Sequence, residues 1–194
     1  MKKKEKLKDG TKVEIKNLTR YDLDKLMEFY SSLPDLDRKY LRVDVTDRHV
    51  MEQRIKLIKT GNLTRIIALD GSKIIGDGAL ELSHEDWRKH QGELRVIVSR
   101  DYRRKGLGMI LMRELYFIAS GKNVKKVVVK FMRPQTAPRK ILRKLDFHEE
   151  VLIPDYIRDR AGKIQDMVIM TCDMKDLWKE LEHLYSDSDW QRCR

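Results

Sequence analysis

The chain is short of cysteine, of aromatic residues and of long apolar runs, and each shortage removes a class of function. Two cysteines among 194 residues, Cys172 and Cys193, cannot build a disulfide framework and stand in no metal-ligand spacing. A reducing compartment and a site without metal fit that usage. Aromatic residues make up only 7% of the chain, and apart from Tyr102 none is interleaved with the cations, so the stacking platforms of a nucleic-acid binder are missing. The apolar runs are a few residues long, too short for a membrane-spanning helix. The opening "MKKKEKLKDG" has cations but no hydrophobic stretch behind them, so it does not read as a secretory signal. The expectation is a soluble cytoplasmic protein.

What the chain does have is apolar residues enough for a core, 41%, under a densely ionic surface, with 38% of residues charged. Its length suits one full-sized domain. The formal charge of +11 implies an anionic partner: nucleic acid, a membrane surface or a phosphorylated small molecule. The cations are spread over "MKKKEKLK", "RDYRRK", "KNVKK" and "PRKILRK", and most of them read equally well as a solvated basic surface.

Residues 1–10 read as a flexible basic lead-in. Order should begin where Val13 and Ile15 alternate with charged residues, a half-buried strand. Leu23, Leu26, Met27 and Tyr30 recur at helical spacing behind Thr19 or Asp22 as cap, and Pro34 stops that helix. A second helix is expected over about Asp47 to Lys59. The connection "LDRKYLRVD" between them looks exposed. Residues 63–69 and 73–82 read as a hairpin turned at "DGS", with Gly76 and Gly78 marking a bulge or close packing.

Residues 92–99 form another strand, 106–119 an amphipathic helix, and "KKVVVKFM" a strand parallel to 92–99 through a right-handed crossover. A short helix over about 136–145 turns Ile141, Leu142 and Leu145 inward, and two strands and a helical tail from Lys175 follow. The predicted fold class is α/β, a mixed, mostly antiparallel central sheet of about six to seven strands with helices on both faces.

The stretch that carries chemistry is "VIVSRDYRRKGLGMILM", Val96 to Met112. Gly106 and Gly108 form a turn that lets backbone approach a ligand, and it opens a helix whose first amides are unpaired. Such a terminus binds anions, with Arg103, Arg104 and Lys105 adding charge at its rim. Two phosphate motifs are excluded: Gly108 is followed by Met109 and Ile110 rather than Lys and Ser/Thr, and Leu111 stands where a third glycine would complete G-x-G-x-x-G. What remains is R-x-x-G-x-G, a pattern that by itself also describes a helix start with surface cations.

In its setting, "GELRVIVSRDYRRKGLG" with this element order on both sides, the sequence resembles the GNAT family of N-acetyltransferases over about residues 11–172. The resemblance implies a GNAT-like acyl-CoA acyltransferase fold over residues 11–174, with 175–194 as a helical tail. It implies acetyl-CoA as cosubstrate and no metal. The backbone of Val96, Ile97 and Val98 would pair with the pantetheine arm as an added strand. Arg103, Arg104, Lys105, Gly106, Leu107, Gly108 and Met109 would cradle the pyrophosphate.

Transfer to an amine requires the neutral amine, and lysine's ordinary pKa is ~10.4, so a base is useful. The resemblance makes Glu93 the first candidate and Glu81 the second, although either also reads as an exposed strand carboxylate. The backbone N–H of Val98 or its neighbour is the oxyanion donor it implies. The family often has a tyrosine in the helix after the next strand as the acid for the leaving thiolate; here "QTAPRKILRKLDF" places Leu142 there. Tyr102, Tyr116 and Tyr156 are possible substitutes, and water can also protonate a thiolate.

The acceptor this implies is a primary amine, preferably a protein lysine side chain, because "SLPDLDRKYLR" also resembles the start of the domain in bacterial protein-lysine acetyltransferases. A small-molecule amine stays open, as do longer acyl donors. So does a non-catalytic acyl-CoA-binding regulatory module, which the Leu142 departure favours. No membrane partner is expected, nucleic acid is disfavoured, and monomer and homodimer are both compatible.

Overall fold

Val13 and Ile15 follow their period of two: both are buried in a strand whose intervening residues are at least partly exposed. The computed structural model describes residues 1–186. Its strands are Lys2–Lys6 (β1), Lys12–Asn17 (β2), Leu63–Asp70 (β3), Lys73–Leu82 (β4), Gln91–Val98 (β5), Lys126–Met132 (β6), His148–Arg158 (β7) and Ile164–Asp173 (β8). Its helices are Leu23–Ser32 (α1), Asp35–Arg38 (α2), Arg48–Ile58 (α3), Leu107–Ser120 (α4), Thr136–Lys144 (α5) and Met174–Ser186 (α6). The strands make one sheet of order β1-β2-β3-β4-β5-β6-β8-β7, antiparallel except for the predicted parallel pair β5 and β6.

One face of the sheet is covered by α4, α5 and α6, through residues such as Leu111, Leu115, Leu142 and Leu177. The other face packs on α1 and α3 through Leu26, Phe29, Tyr30 and Met51. Among the described residues no helix is long and apolar enough to cross a membrane. The expected helical tail is α6, whose Leu177 and Leu181 are wholly buried. Cys193 lies outside the described residues.

The sheet has eight strands because the first ten residues do not form a loose lead-in. Lys2–Lys6 pairs with β2, Leu7 is buried, and Lys3 Nζ sits 2.7 Å from the buried carboxylate of Glu114 on α4. Glu5 pairs with Arg113 of the same helix. This strand is held by backbone bonds and ion pairs, so it has no apolar period to read, and its lysines also guard a sheet edge against further pairing. A second correction concerns Ile141, expected inward, which is exposed while Leu142 and Leu145 are buried.

Gly76 and Gly78 resolve as close packing. A β-carbon on Gly76 would stand 3.1 Å from Leu111 Cδ1, and one on Gly78 would stand 3.2 Å from Leu115 Cδ1. Those two glycines let α4 lie directly on β4. The β3–β4 register also slips between Ala68 and Leu69.

Between β5 and β6 only three residue pairs form, Gln91–Lys126, Gly92–Val127 and Glu93–Val128. Beyond them β5 stays with β4 as far as Val98, and β6 stays with β8 as far as Met132. The sheet therefore splits into a V. Gly92 sits at its apex, where a β-carbon would come within 2.7 Å of Leu80 Cδ1.

Candidate active site

The V exposes one edge of β5, and hydrogen bonds show which residues face it. Ser99 N–H donates to Ile75 O at 2.9 Å, toward β4, whereas Val98 O accepts from Arg103 Nε at 3.2 Å on the other side. Successive residues of a strand turn their backbone groups to opposite edges, so Val96 and Val98 present N–H and C=O to the V. Ile97, expected to join them, turns its backbone toward Asp77 of β4; it contributes its side chain to the cleft instead.

At the open end of β5 the chain turns through Arg104 (φ 61°) and Gly106 (φ 88°), both left-handed, before entering α4. Among the described residues the N–H groups of residues 104–108 donate to nothing in the protein. Five consecutive free amides at a helix N-terminus form an anion nest. Met109, expected to be part of it, is not, because its N–H donates to Gly106 O at 3.0 Å. Leu107 takes part through its amide only, its side chain being fully buried.

Gly106 is required by its backbone conformation. Gly108 is not required by protein packing: a β-carbon there would meet only Val98 Cγ2, at 3.8 Å. Glycine at that position keeps space free beside the nest, which fits a bound phosphate. Of the flanking cations, Arg103 reaches Asp37 of α2 at 2.7 Å and Lys105 reaches Asp9 at 2.9 Å, while Arg104 has no ion-pair partner among the described residues.

The N-terminal hairpin supplies a residue that the sequence reading missed. Lys8 N–H donates to Lys105 O at 3.0 Å, and the Lys8 side chain lies 3.5 Å from where a β-carbon on Gly106 would be. No local motif marks Lys8; it reaches the turn because β1 and β2 carry it there.

The strand register places a charged row across the other face of the sheet. Glu81 lies opposite Glu93, and Arg65, Ala79 and Arg95 align across β3, β4 and β5. The first two residues of the expected acid/base chemistry are thus neighbours. Neither is free, however: Glu81 pairs with Arg95 and, at 3.9 Å, with Arg54, and Glu93 pairs with Arg42 and, at 3.1 Å, with Lys130. Burial alone would raise the Glu93 pKa, but Arg42 and Lys130 outweigh it and hold the carboxyl below its ordinary range.

These cations, and not the carboxylates, line a cleft of about 550 Å³. Its walls also include Val96, Ile97, Tyr40, Gln135 and Tyr156. The connection containing Tyr40 and Arg42, expected to be exposed, is thus a wall of the site. At the cleft floor the buried Arg65 makes a two-pronged contact with Asp77 (2.7 and 2.9 Å), and Tyr30 donates to Asp77 Oδ2 at 2.9 Å. The sequence reading did not single out this trio, and no spacing rule links residues so far apart in the chain.

Leu142 is buried in the core, so α5 offers no hydroxyl at that position. Tyr102 donates to Asp70 at 2.7 Å and Tyr116 stacks on Trp178 with ring centres 5.1 Å apart, and neither lines the cleft. Tyr156 does line it. Burial, with nearby aspartates, pushes the Cys172 thiol up to about 12, so it stays protonated and is no nucleophile.

A sheet split beside a strand edge, with free amides at the open end, is a geometry suited to a phosphorylated ligand with an extended arm. The chain belongs to the acetyltransferase (GNAT) family, whose model matches residues 25–147. The fold is shared with a ribosomal-protein-alanine N-acetyltransferase from Brucella melitensis at 20% identity and a TM-score of 0.70, covering 82% of this chain and 98% of that one. It is shared with yncA from Salmonella typhimurium, solved with its cofactor acetyl-CoA, at 16% identity and a TM-score of 0.71, covering 84% and 94%. RimJ from Mycobacterium smegmatis, in complex with CoA-disulfide, matches at 12% identity and a TM-score of 0.76, covering 96% and 93%.

Proposed function

We propose that the protein transfers an acetyl group from acetyl-CoA to a primary amine of a polypeptide, a lysine side chain first among them, by direct attack in a ternary complex. The observation that carries this reading is the open edge of Val96 and Val98 running into the free amides of residues 104–108. The edge is suited to pair with the pantetheine arm, and the nest, with Arg104 and Lys8 beside it, to bind the pyrophosphate. Polypeptide acceptors are the kind named for the Brucella melitensis neighbour.

In the step itself the amine nitrogen forms a bond to the thioester carbon, and the carbonyl electrons move to oxygen, where the Val98 N–H can donate. Collapse breaks the C–S bond. The amine loses one proton to solvent and the departing sulfur gains one, from water or from Tyr156. No acyl-enzyme is invoked, in keeping with the buried, protonated Cys172.

Glu93 and Glu81 are each tied to two of these cations, and we assign Glu93 as a positioning residue that holds Arg42 and Lys130 rather than as a free base. The positive wall itself disfavours an ammonium ion and so favours the neutral, reactive amine. Incubation with acetyl-CoA and lysine-containing peptides, with mass spectrometry of the peptides and of the protein itself, tests the assignment. Acetylated peptide amines are expected; tight acetyl-CoA binding with no product over a broad amine panel would sink it.

A further inference from the structure

Resting on the reading of this cleft as an amine site, we infer that the acceptor carries an anionic group, a carboxylate or a phosphate, close to its reacting amine, and that Arg42, Arg54, Arg95 and Arg158 receive it. The cleft wall carries more cations than the protein's own carboxylates balance. Four cations of the cleft wall, Arg42, Arg54, Arg95 and Lys130, share only two carboxylates, Glu81 and Glu93. All four cations are among the residues that line the cavity, and the two glutamates are not. Arg158, on β7 across the V, adds a further cation with no ion-pair partner among the described residues.

The surplus contrasts with the floor of the same cleft. There the protein matches one buried guanidinium, Arg65, with one carboxylate, Asp77, through two hydrogen bonds. Like charges crowded at a half-buried wall raise the energy of the empty site, and an incoming anion relieves it. Burial, then Arg42 and Arg54, push the Arg95 guanidinium below its ordinary basicity, against the opposing pull of Glu81 and Glu93. The planar fork of arginine also suits both carboxylate and phosphate. A polycationic acceptor meets the opposite field.

Two matched sets of acceptors test this. The first is three peptides with a single free lysine amine flanked by glutamates, glutamines or arginines. The second is 4-aminobutanoate, 3-aminopropyl phosphate, 4-aminobutanamide and 1,4-diaminobutane. The expected order of kcat/KM is anionic, neutral, cationic, with about tenfold or more between the extremes, shrinking as salt is added. Arg95→Gln should narrow that spread to about threefold while leaving acetyl-CoA affinity within about twofold, and the exposed Arg158→Gln should narrow it partly. The two anionic small amines distinguish a carboxylate from a phosphate.

Equal rates across both sets, a preference for the cationic members, or an undiminished preference in both variants would overturn the inference. A preference seen in the small amines alone would keep it and remove the polypeptide acceptor. If nothing is acetylated, binding to the protein saturated with CoA decides: tighter binding of the glutamate-flanked peptide supports the anion site, and equal binding of the three rejects it. Loss of transfer alone counts against the proposed reaction, not against the anion site.

Discussion

In the proposed reading, the donor side of the cleft is built from backbone and the acceptor side from side chains. On the donor side, Val96, Val98 and the amides of residues 104–108 come from a single stretch of chain, and the only side-chain requirement is the absence of one at Gly106 and Gly108. On the acceptor side, Arg42, Arg54, Glu81, Glu93, Arg95, Lys130 and Arg158 come from six separate segments. A site made of backbone is shared by every chain that can take up the turn, whereas a site made of side chains can be rewritten one residue at a time. In that reading, the donor follows from a backbone turn that the family can share, and the acceptor from side chains particular to this member.

The largest effect should come from breaking the backbone side. Gly108→Val fills the space beside the nest, and acetyl-CoA binding measured by calorimetry should weaken about a hundredfold or more, with circular dichroism unchanged. A variant that still binds tightly would move the pyrophosphate elsewhere.

On the other side, Asp77→Ala strands the buried guanidinium of Arg65. Urea unfolding should show a loss of about 3–5 kcal/mol, the cost of leaving a buried charge unpaired. Acetyl-CoA affinity of the protein that remains folded should change little. A mild loss would mean that the pair is no part of the scaffold under the acceptor cleft.

Glu93→Gln should lower kcat about tenfold without altering acetyl-CoA affinity, and Glu93→Asp should recover part of it. The folded-state pKa of Glu93 is depressed, so its contribution to stability is present above the unfolded carboxyl pKa and is lost only as pH falls through the lower folded value. The wild-type and Glu93→Gln stabilities should therefore differ by a constant amount around neutrality and converge only in acid. The acid limb of the pH–rate profile, set by the acceptor amine, should lie at the same pH in both proteins; a limb that disappears in Glu93→Gln would restore Glu93 as the base.

The smallest effect sharpens the donor side. Lys8→Ala should weaken acetyl-CoA binding about threefold and reduce its salt dependence, since Lys8 is an exposed charge beside the turn. No change at all would leave the N-terminal hairpin as a buttress alone.

Much of the fold was open to reading because the signals were local. The apolar period of residues 107–119, the turn at 70–72 and the parallel return of residues 126–132 each depend on neighbours in sequence. β1 escaped because its order comes from pairing with β2 and from Glu114 and Arg113 on a distant helix. Around the turn, the glycines at 106 and 108 were legible as a motif, while the bond from the Met109 N–H to Gly106 O, which takes that amide out of the free set, was not. Glu93 was visible as a residue, but not its two cationic partners, which reach it from the α2–α3 connection and from β6.

By itself, then, the amino-acid sequence determined the order of elements and the place of the glycine turn, since helical and strand periods and glycine's conformational freedom act within a few residues. Only the tertiary structure decided which side chains line the cleft. The strand register aligned Glu81 with Glu93 and Arg65 with Arg95, and the sheet splits after Glu93 beside the space that the surplus cations line. Charge balance in a cleft is a sum over groups brought together through space, and chain distance holds no record of it.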